Sequence, residues 1–213
     1  MTYNNFIVDL NKHYYDLWDI GLKKQANISL KKYLQNFNAN IDEETRFNIW
    51  YEFCEKCFMK SKYKETGIPY LIRQNILNFL NRFPDNFQQI KWLYLLTRDR
   101  DILEKAFNNK ECDREIINYK FKNYIGDLDW ATHHASEGLI LFEENVIQEI
   151  IRNGFLFIEK YEISSKLQNS FHHYVKLYEL LVLFQKNDGI NFSGFCKEQE
   201  FKFKGIKTIY YTK

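Results

Sequence analysis

The stretch that decides the fold class is DEETRFNIWYEFCEKCF, residues 42–58. Asp42 precedes the apolar residues and predicts an N-cap, and Glu43 and Glu44 stand in the first turn, where the helix dipole favours negative charge. The apolar residues recur with the period of one helix face, and they are Phe47, Trp50, Tyr51, Cys54, Cys57 and Phe58. The stretch therefore predicts a helix that begins after Asp42 and buries one face.

The same period continues on both sides of this stretch. Residues 4–37 form either one long helix or a hairpin that turns near Gln25–Asn27, and Asn27 as a cap favours the hairpin. Asp113 predicts the start of a later helix, which Gly126 interrupts. The chain has only 8 Gly and 2 Pro, so it lacks the turn residues that all-β folds require. We therefore predict an all-α protein.

The loops between the predicted helices are short, which favours antiparallel neighbours. We predict stacked antiparallel helical hairpins, a tetratricopeptide-like or HEAT-like α-solenoid, with a closed helical bundle as the alternative. Residues 1–213 form a single helical domain, and residues 190–213 are a C-terminal tail that packs on it. Residues 201–211 alternate as strands do, which predicts a short β-like end to the tail.

Composition and charge limit the classes of partner. The formal net charge is +2, too small for the basic footprint of a nucleic-acid-binding protein. No apolar run approaches the ~20 residues that span a bilayer. No signal peptide is visible at the N-terminus. We therefore expect a cytoplasmic protein with no nucleic-acid partner and no membrane partner.

The cysteines predict packing and no cofactor. Cys54 and Cys57 have the C-x-x-C spacing, but no second C-x-x-C completes a zinc site and no βαβ pattern surrounds them. Both lie on the apolar face of the predicted helix. We therefore expect them to be reduced, buried and inert.

The stretch Ile125–Gly138 has the densest collection of potentially reactive side chains, and five of them fall within eleven residues around Trp130. The sequence leaves three interpretations of it: a metal or catalytic site, a structural turn between helices, or a contact surface for another protein. In the metal interpretation, His134 and Glu137 lie on one side of a helical turn and could both bind the ion. Such a site also needs matching ligands on a facing helix. The sequence contains no matching Glu-x-x-His motif to supply them. The residues that we propose as a candidate surface are Asp127, Asp129, Trp130, His133, His134 and Glu137.

We predict that residues 127–138 connect two helices and that Trp130 packs against the neighbouring helical layer. Adjacent residues on a helix point about 100° apart. His133 and His134 therefore cannot both fill one pocket, and we expect at least one of them to face outward. The sequence contains no nucleophile elbow and no phosphate-binding loop, so no enzymatic motif competes with these interpretations.

Two stretches, Lys91–Arg98 continuing through Leu103–Phe107 and Asp129–Gly138, resemble small bacterial α-helical-repeat proteins of the toxin-immunity type. The resemblance covers residues 45–140, with a weaker similarity in the tyrosine-rich C-terminal end. It implies a helical-repeat fold, no cofactor and a protein partner, and it supplies no catalytic residues. The sequence thus predicts a bacterial, non-enzymatic protein-interaction module such as a toxin-immunity protein. The alternative is a metal-dependent enzyme that uses His133, His134 and Glu137.

Overall fold

A computed structural model describes residues 1–59, 68–83, 85–186 and 191–203. Within these ranges the chain is all-helical and contains no strand, so the predicted fold class is confirmed at that level. Most of the strand-like stretch predicted at 201–211 lies outside the described residues. None of the described helices has the length and apolar character needed to cross a membrane.

The chain divides into two compact units, Met1–Cys112 and Asp113–Lys213. Each unit has its own buried core, described separately below. The prediction of one domain over residues 1–213 stays a prediction, because a domain can contain more than one compact unit.

The described helices of the N-terminal unit range from 4 to 18 residues in length. In order they are α1 (Tyr3–Leu10), a π-helical segment (Asn11–Tyr15), α2 (Asp16–Asp19), α3 (Lys23–Asn40), α4 (Glu43–Cys54), a second π-helical segment (Glu55–Met59), α5 (Tyr70–Leu80), α6 (Phe87–Thr97) and α7 (Arg100–Phe107). The Asp42 side chain accepts a hydrogen bond from the Thr45 backbone N–H at 2.8 Å. The N-cap predicted from the sequence is therefore confirmed.

Helix α1, the first π-helical segment and α2 follow one another without a break from residue 3 to residue 19. Helix α3 contacts the π-helical segment and α2, as the hairpin interpretation predicts. The turn lies at residues 20–22, earlier than the predicted Gln25–Asn27. Gly21 has φ +84°, a left-handed conformation that glycine adopts without steric cost. Asn27 lies inside α3, where its side-chain amide donates to the Lys23 carbonyl at 3.0 Å. The glycine, and not the asparagine, sets the turn.

The core of the N-terminal unit is aromatic. The Phe6 ring lies 5.1 Å from the Phe37 ring and 5.2 Å from the Trp50 ring, measured between centroids. Cys54 and Cys57 are buried and form no disulfide, as predicted. Burial raises the pKa of Cys57 to about 12 and also raises the pKa of Cys54. Both side chains are therefore neutral thiols at physiological pH.

The described helices of the C-terminal unit are α8 (Arg114–Ala131), α9 (Glu144–Lys160), α10 (Ser165–Phe184) and the short α11 (Phe192–Glu198). Helix α8 packs on both α9 and α10. The fully buried Phe171 ring lies 5.4 Å from the Phe121 ring. Gly154 of α9 leaves the space that the Phe171 ring occupies.

A second apolar cluster in this unit holds the chain after α11 against α10. Its buried members are Ala135, Leu177, Leu180, Leu181, Phe192, Phe195 and Cys196. Phe201 and Phe203 pack against this cluster from beyond the end of α11, and Tyr174 packs against it from α10. Through this cluster, the stretch that follows α8, helix α10 and the chain from α11 to Phe203 come into contact near the end of α8.

Candidate functional site

Helix α8 continues through the first part of the predicted connector. The Asp113 side chain caps the helix by accepting the Ile116 N–H at 2.9 Å, as predicted. Gly126 does not interrupt the helix, so that prediction was wrong. A glycine costs a helix only about 1 kcal/mol relative to alanine. The buried residues Phe121 and Leu128, on either side of Gly126, hold α8 in its packed position and offset that cost.

The connector begins at Thr132, whose hydroxyl donates to the Leu128 carbonyl at 2.8 Å. One turn of 3₁₀-helix follows at Ala135–Glu137 and ends at Gly138, where φ is +73°. The side-chain amide of Gln185, the residue that follows α10, donates to the Gly138 carbonyl at 3.1 Å. Residues 132–138 therefore form a turn, but its backbone contacts come from Thr132 and Gln185 and not from the Asp and His side chains of the stretch.

Trp130 lies on the outer side of α8, with 58% of its surface exposed. The prediction that it packs against a neighbouring helical layer was wrong. The buried face of α8 ends at Leu128 and Ala131, and Trp130 points about 100° away from Ala131. Its ring stacks on His133 at 5.7 Å between centroids and at an interplanar angle of 17°.

The two adjacent histidines have different environments. His133 is exposed, which confirms the prediction that at least one of them faces outward. His134 is half-buried, and its Nδ1 lies 3.1 Å from Glu137 Oε1. The His133 and His134 rings meet edge to face, 5.3 Å apart. His134 is thus paired with Glu137, whereas the His133 ring contacts the Trp130 and His134 rings.

A cleft of about 320 Å³ opens beside these residues, and we call it the histidine cleft. Asp129 and His133 line it from α8 and the connector. His173 and Tyr174 line it from α10, and Lys202 lines it from beyond α11. The His173 ring stacks on Phe201 at 5.0 Å and 17°. The cleft therefore joins two members of the candidate surface to residues 40 or more positions later in the sequence.

The histidine cleft contains one tyrosine with a perturbed pKa. Burial, together with the hydrogen bond and charge of the Asp129 carboxylate, raises the pKa of Tyr174 to about 12. Tyr174 is therefore a neutral phenol at physiological pH. The ring nitrogens of His133 and His173 form no hydrogen bond with any described residue.

The remaining members of the candidate surface do not line the cleft. Asp127 is half-buried on α8, and its charge contributes, after burial, to a raised pKa of Tyr124. Trp130 lies beside the cleft through its stacking on His133. His134 and Glu137 form their own pair.

The metal interpretation lacks a ligand set in the described part of the chain. Across residues 1–59, 68–83, 85–186 and 191–203, no group of three His, Cys, Asp or Glu side chains is placed to hold a metal ion. His133, His134 and Glu137 are close in sequence but do not converge on one point. The site can bind through aromatic contact, hydrogen bonds and charge.

The sequence analysis missed His173, Tyr174 and Lys202. The pair His172-His173 is visible in the sequence, but its helical position beside Phe171 indicated packing. Only the contact of α8 with α10 brings His173 to the same cleft as His133.

A larger cavity of about 550 Å³ lies in the N-terminal unit, between α4 and α5. Its floor is aromatic and includes Phe47 and Phe79, whose rings lie 5.3 Å apart. Part of its polar rim is paired internally, since the Arg82 guanidinium contacts the Glu43 carboxylate at 2.8 Å. The cavity thus combines an aromatic floor with a polar rim of similar extent.

The chain matches no protein-family model, no curated protein and no solved structure. The resemblance to toxin-immunity proteins therefore stays a prediction. The function is inferred from the site in the C-terminal unit.

Proposed function

We propose that the protein is a non-enzymatic protein-interaction module and that it binds its partner through the exposed end of α8 and the connector that follows. The observation that carries this proposal is the exposure of Trp130, at 58%, with its ring held flat against His133. Tryptophan is the residue type most enriched among the side chains that dominate binding energy in interfaces. A ring already fixed by stacking also loses little conformational freedom on binding.

Two further apolar side chains extend this surface. Leu139 and Leu141 of the connector are 51% and 40% exposed. The Leu141 N–H donates to the Ala131 carbonyl at 3.0 Å, so the connector runs back beside the end of α8. Apolar side chains with a polar rim are the usual composition of a protein-binding surface. The rim here is supplied by Asp129 and His133.

A finer form of the proposal is that the protein is a bacterial toxin-immunity protein built as an α-solenoid. The resemblance of Lys91–Phe107 and Asp129–Gly138 to that class supports it. In the N-terminal unit, α4 packs on α5, α5 on α6 and α6 on α7, and such contacts between consecutive helices support a stacked arrangement. A cytoplasmic location belongs to the same proposal, supported by four cysteines without a disulfide.

The experiment is affinity capture from the native host with three forms of the chain: wild type, Trp130→Ala and Tyr70→Ala. Tyr70 is a matched control because it is 71% exposed but lies on α5 in the other unit. An interface residue of this kind contributes about 2 kcal/mol or more, which is about 30-fold in Kd. We expect one protein to be retained by the wild type and by Tyr70→Ala and to be lost from Trp130→Ala.

Equal retention of that protein by Trp130→Ala would reject this surface as the interface. Co-expression tests the finer form, since an immunity protein must relieve the toxicity of the captured partner. Metal analysis of protein purified without chelator tests the enzyme alternative. Stoichiometric zinc, iron or manganese would favour that alternative.

A further inference from the structure

The cavity between α4 and α5 has no part in the proposed interface, and we call it the N-terminal cavity. Its volume of about 550 Å³ lies within the range of small-molecule sites, roughly 300–1,000 Å³. The described residues that line it all belong to the N-terminal unit. They come from the end of α3, from α4, and from α5 and the turn that follows it. The cavity is therefore large enough for a ligand of its own.

Side-chain contacts between these helices position the walls of the cavity. The Asn38 side-chain amide of α3 donates to Asn75 Oδ1 of α5 at 3.0 Å. The Arg46 guanidinium of α4 donates to the Asn38 carbonyl at 2.8 Å. The contact of Arg82 with Glu43 connects the turn after α5 to the start of α4. The walls are thus arranged before a ligand arrives, which reduces the entropy lost on binding.

The floor of the cavity is a cluster of aromatic rings. Phe47, Phe79 and Phe83 contact one another edge to face, with centroids 5.1–5.9 Å apart. Phe79 and Trp50 are 6% and 4% exposed, so the helix packing holds both side chains in place. Aromatic rings in such a cluster favour a flat, aromatic ligand that can add a further offset or edge-to-face contact.

The charges of the lining cancel. The described lining residues include two glutamates and two arginines, and no histidine or lysine. Glu43 and Arg82 are paired with each other. Glu44 and Arg46 carry opposite charges, and neither forms an ion pair with a described residue. An ion that enters the cavity would lose part of its hydration without meeting a net opposite charge. The lining therefore favours an uncharged ligand.

One amide of the rim remains available for hydrogen bonds. Asn78 is exposed, and its side chain forms no hydrogen bond with a described residue. A side-chain amide both donates and accepts, so it pairs best with a ligand group that does the same. We infer that the N-terminal cavity binds an uncharged aromatic small molecule whose edge carries both a donor and an acceptor, of the aromatic carboxamide class.

The test is an NMR titration of the full chain with three probes that share one ring and differ in charge: benzamide, benzoate and the benzamidinium ion. The Arg46 Nε–H reports from the cavity wall, because Nε is buried and shielded from solvent. We expect benzamide to shift this signal and the Asn78 amide signals saturably, with a Kd on the order of 1 mM for a fragment of this size. Benzoate and benzamidinium should each bind at least about fivefold more weakly.

A bulky substitution locates the binding. Asn78→Trp places an indole at the cavity, and the exposed position should tolerate it without loss of the fold, as checked by circular dichroism. We expect this variant to abolish the saturable shift of the Arg46 signal by benzamide. Asn81→Trp is the matched control, because Asn81 is exposed at the end of the same helix and is not among the described lining residues. It should keep the wild-type Kd.

Two charge variants test the reason for the selectivity. Arg82→Gln gives the described lining a net charge of −1, and Glu43→Gln gives it a net charge of +1. Relative to the wild type, the affinity for benzamidinium over benzoate should rise about threefold at low salt in Arg82→Gln and fall about threefold in Glu43→Gln.

Three results overturn the inference: no saturable shift with benzamide, binding of benzoate or benzamidinium as tight as that of benzamide, and an unchanged benzamide Kd in Asn78→Trp. Displacement of benzamide by the protein captured from the native host would also overturn it, since the cavity would then hold a side chain of that protein. The proposed function fails separately, because it is tested by capture with Trp130→Ala and not by benzamide binding.

Discussion

Gly154 of α9 should not tolerate even a methyl group. A Cβ built at this position would lie 2.2 Å from Cζ and 2.5 Å from Cε2 of Phe171. Carbon atoms in contact normally lie about 3.5–4.0 Å apart. The ring cannot move away easily, because Phe171 is fully buried and lies 5.4 Å from Phe121 and 5.3 Å from Phe155. Gly154→Ala therefore forces a rearrangement of the C-terminal core.

Two opposing effects set the expected size of the change. Overpacking a well-packed core costs about 1–3 kcal/mol, and a clash this severe belongs at the upper end. Replacing glycine by alanine inside a helix contributes about 1 kcal/mol of stability. The clash wins, and we expect Gly154→Ala to lower the free energy of unfolding by about 2 kcal/mol.

Gly126 provides a matched control in the same unit. It lies inside α8, is exposed, and has no atom within 4 Å of an added Cβ. Only the helix-propensity effect operates there, so Gly126→Ala should raise the free energy of unfolding by about 1 kcal/mol. The same substitution should thus have opposite signs at two helical positions of one unit.

Urea and thermal unfolding of both variants and the wild type measure this difference. For a chain of this length 1 kcal/mol shifts the Tm by about 2–4 °C, so Gly154→Ala should melt about 4–8 °C lower and Gly126→Ala about 2–4 °C higher. The double variant Gly154→Ala/Phe171→Leu should be less destabilised than the two single changes added together, because the smaller side chain removes the clash. A neutral or stabilising Gly154→Ala would falsify the packing of α9 on α10 described here.

The other predictions concern one tryptophan pair, two cysteines and one tyrosine. Trp130→Ala should change the free energy of unfolding by no more than about 0.5 kcal/mol, because Trp130 is mostly exposed. Trp92→Ala should lower it by about 3–5 kcal/mol, because Trp92 is 1% exposed. Denaturant unfolding measures both changes, and equal changes would contradict the burial pattern. Cys54 and Cys57 should react with a thiol reagent far more slowly in the native protein than after unfolding, because burial raises the pKa of both thiols. Rapid labelling of both cysteines in the native protein would contradict their burial. The pKa of Tyr174 is raised from its ordinary value of 10.0 to about 12, so the stability that it contributes is complete below about pH 10 and is lost as the pH rises to about 12. Tyr174→Phe cannot ionise at this position. Its free energy of unfolding should therefore fall less than that of the wild type between these pH values, as followed by denaturant unfolding with circular dichroism, and equal falls would contradict the raised pKa.

The sequence by itself determined the helices and several of their starts. Periodicity identifies a helical face from residues three and four apart, and a cap is formed by a side chain and a backbone N–H three residues later. These interactions are local, so Asp42 and Asp113 could be identified as caps without a structure. The burial of Cys54 and Cys57 follows from the same periodicity, since both lie on one apolar face.

The sequence was less informative where two local signals compete. Asn27 and Gly21 are both turn residues, and Gly126 and Gly154 are both potential helix breakers. Which of them ends a helix depends on the packing of the flanking residues. Gly21 adopts a positive φ, whereas Gly126 and Gly154 remain helical because the residues around them are buried in a core.

Only the tertiary structure decided the candidate site. The exposure of Trp130 depends on which face of α8 meets α9 and α10, and an amphipathic pattern does not specify where that buried face ends. His133 and His173 share a cleft because α8 packs on α10 and because Phe201 and Phe203 anchor the segment that carries Lys202. Contacts between residues 40 or more positions apart depend on the packing of whole helices, so no local sequence pattern encodes them.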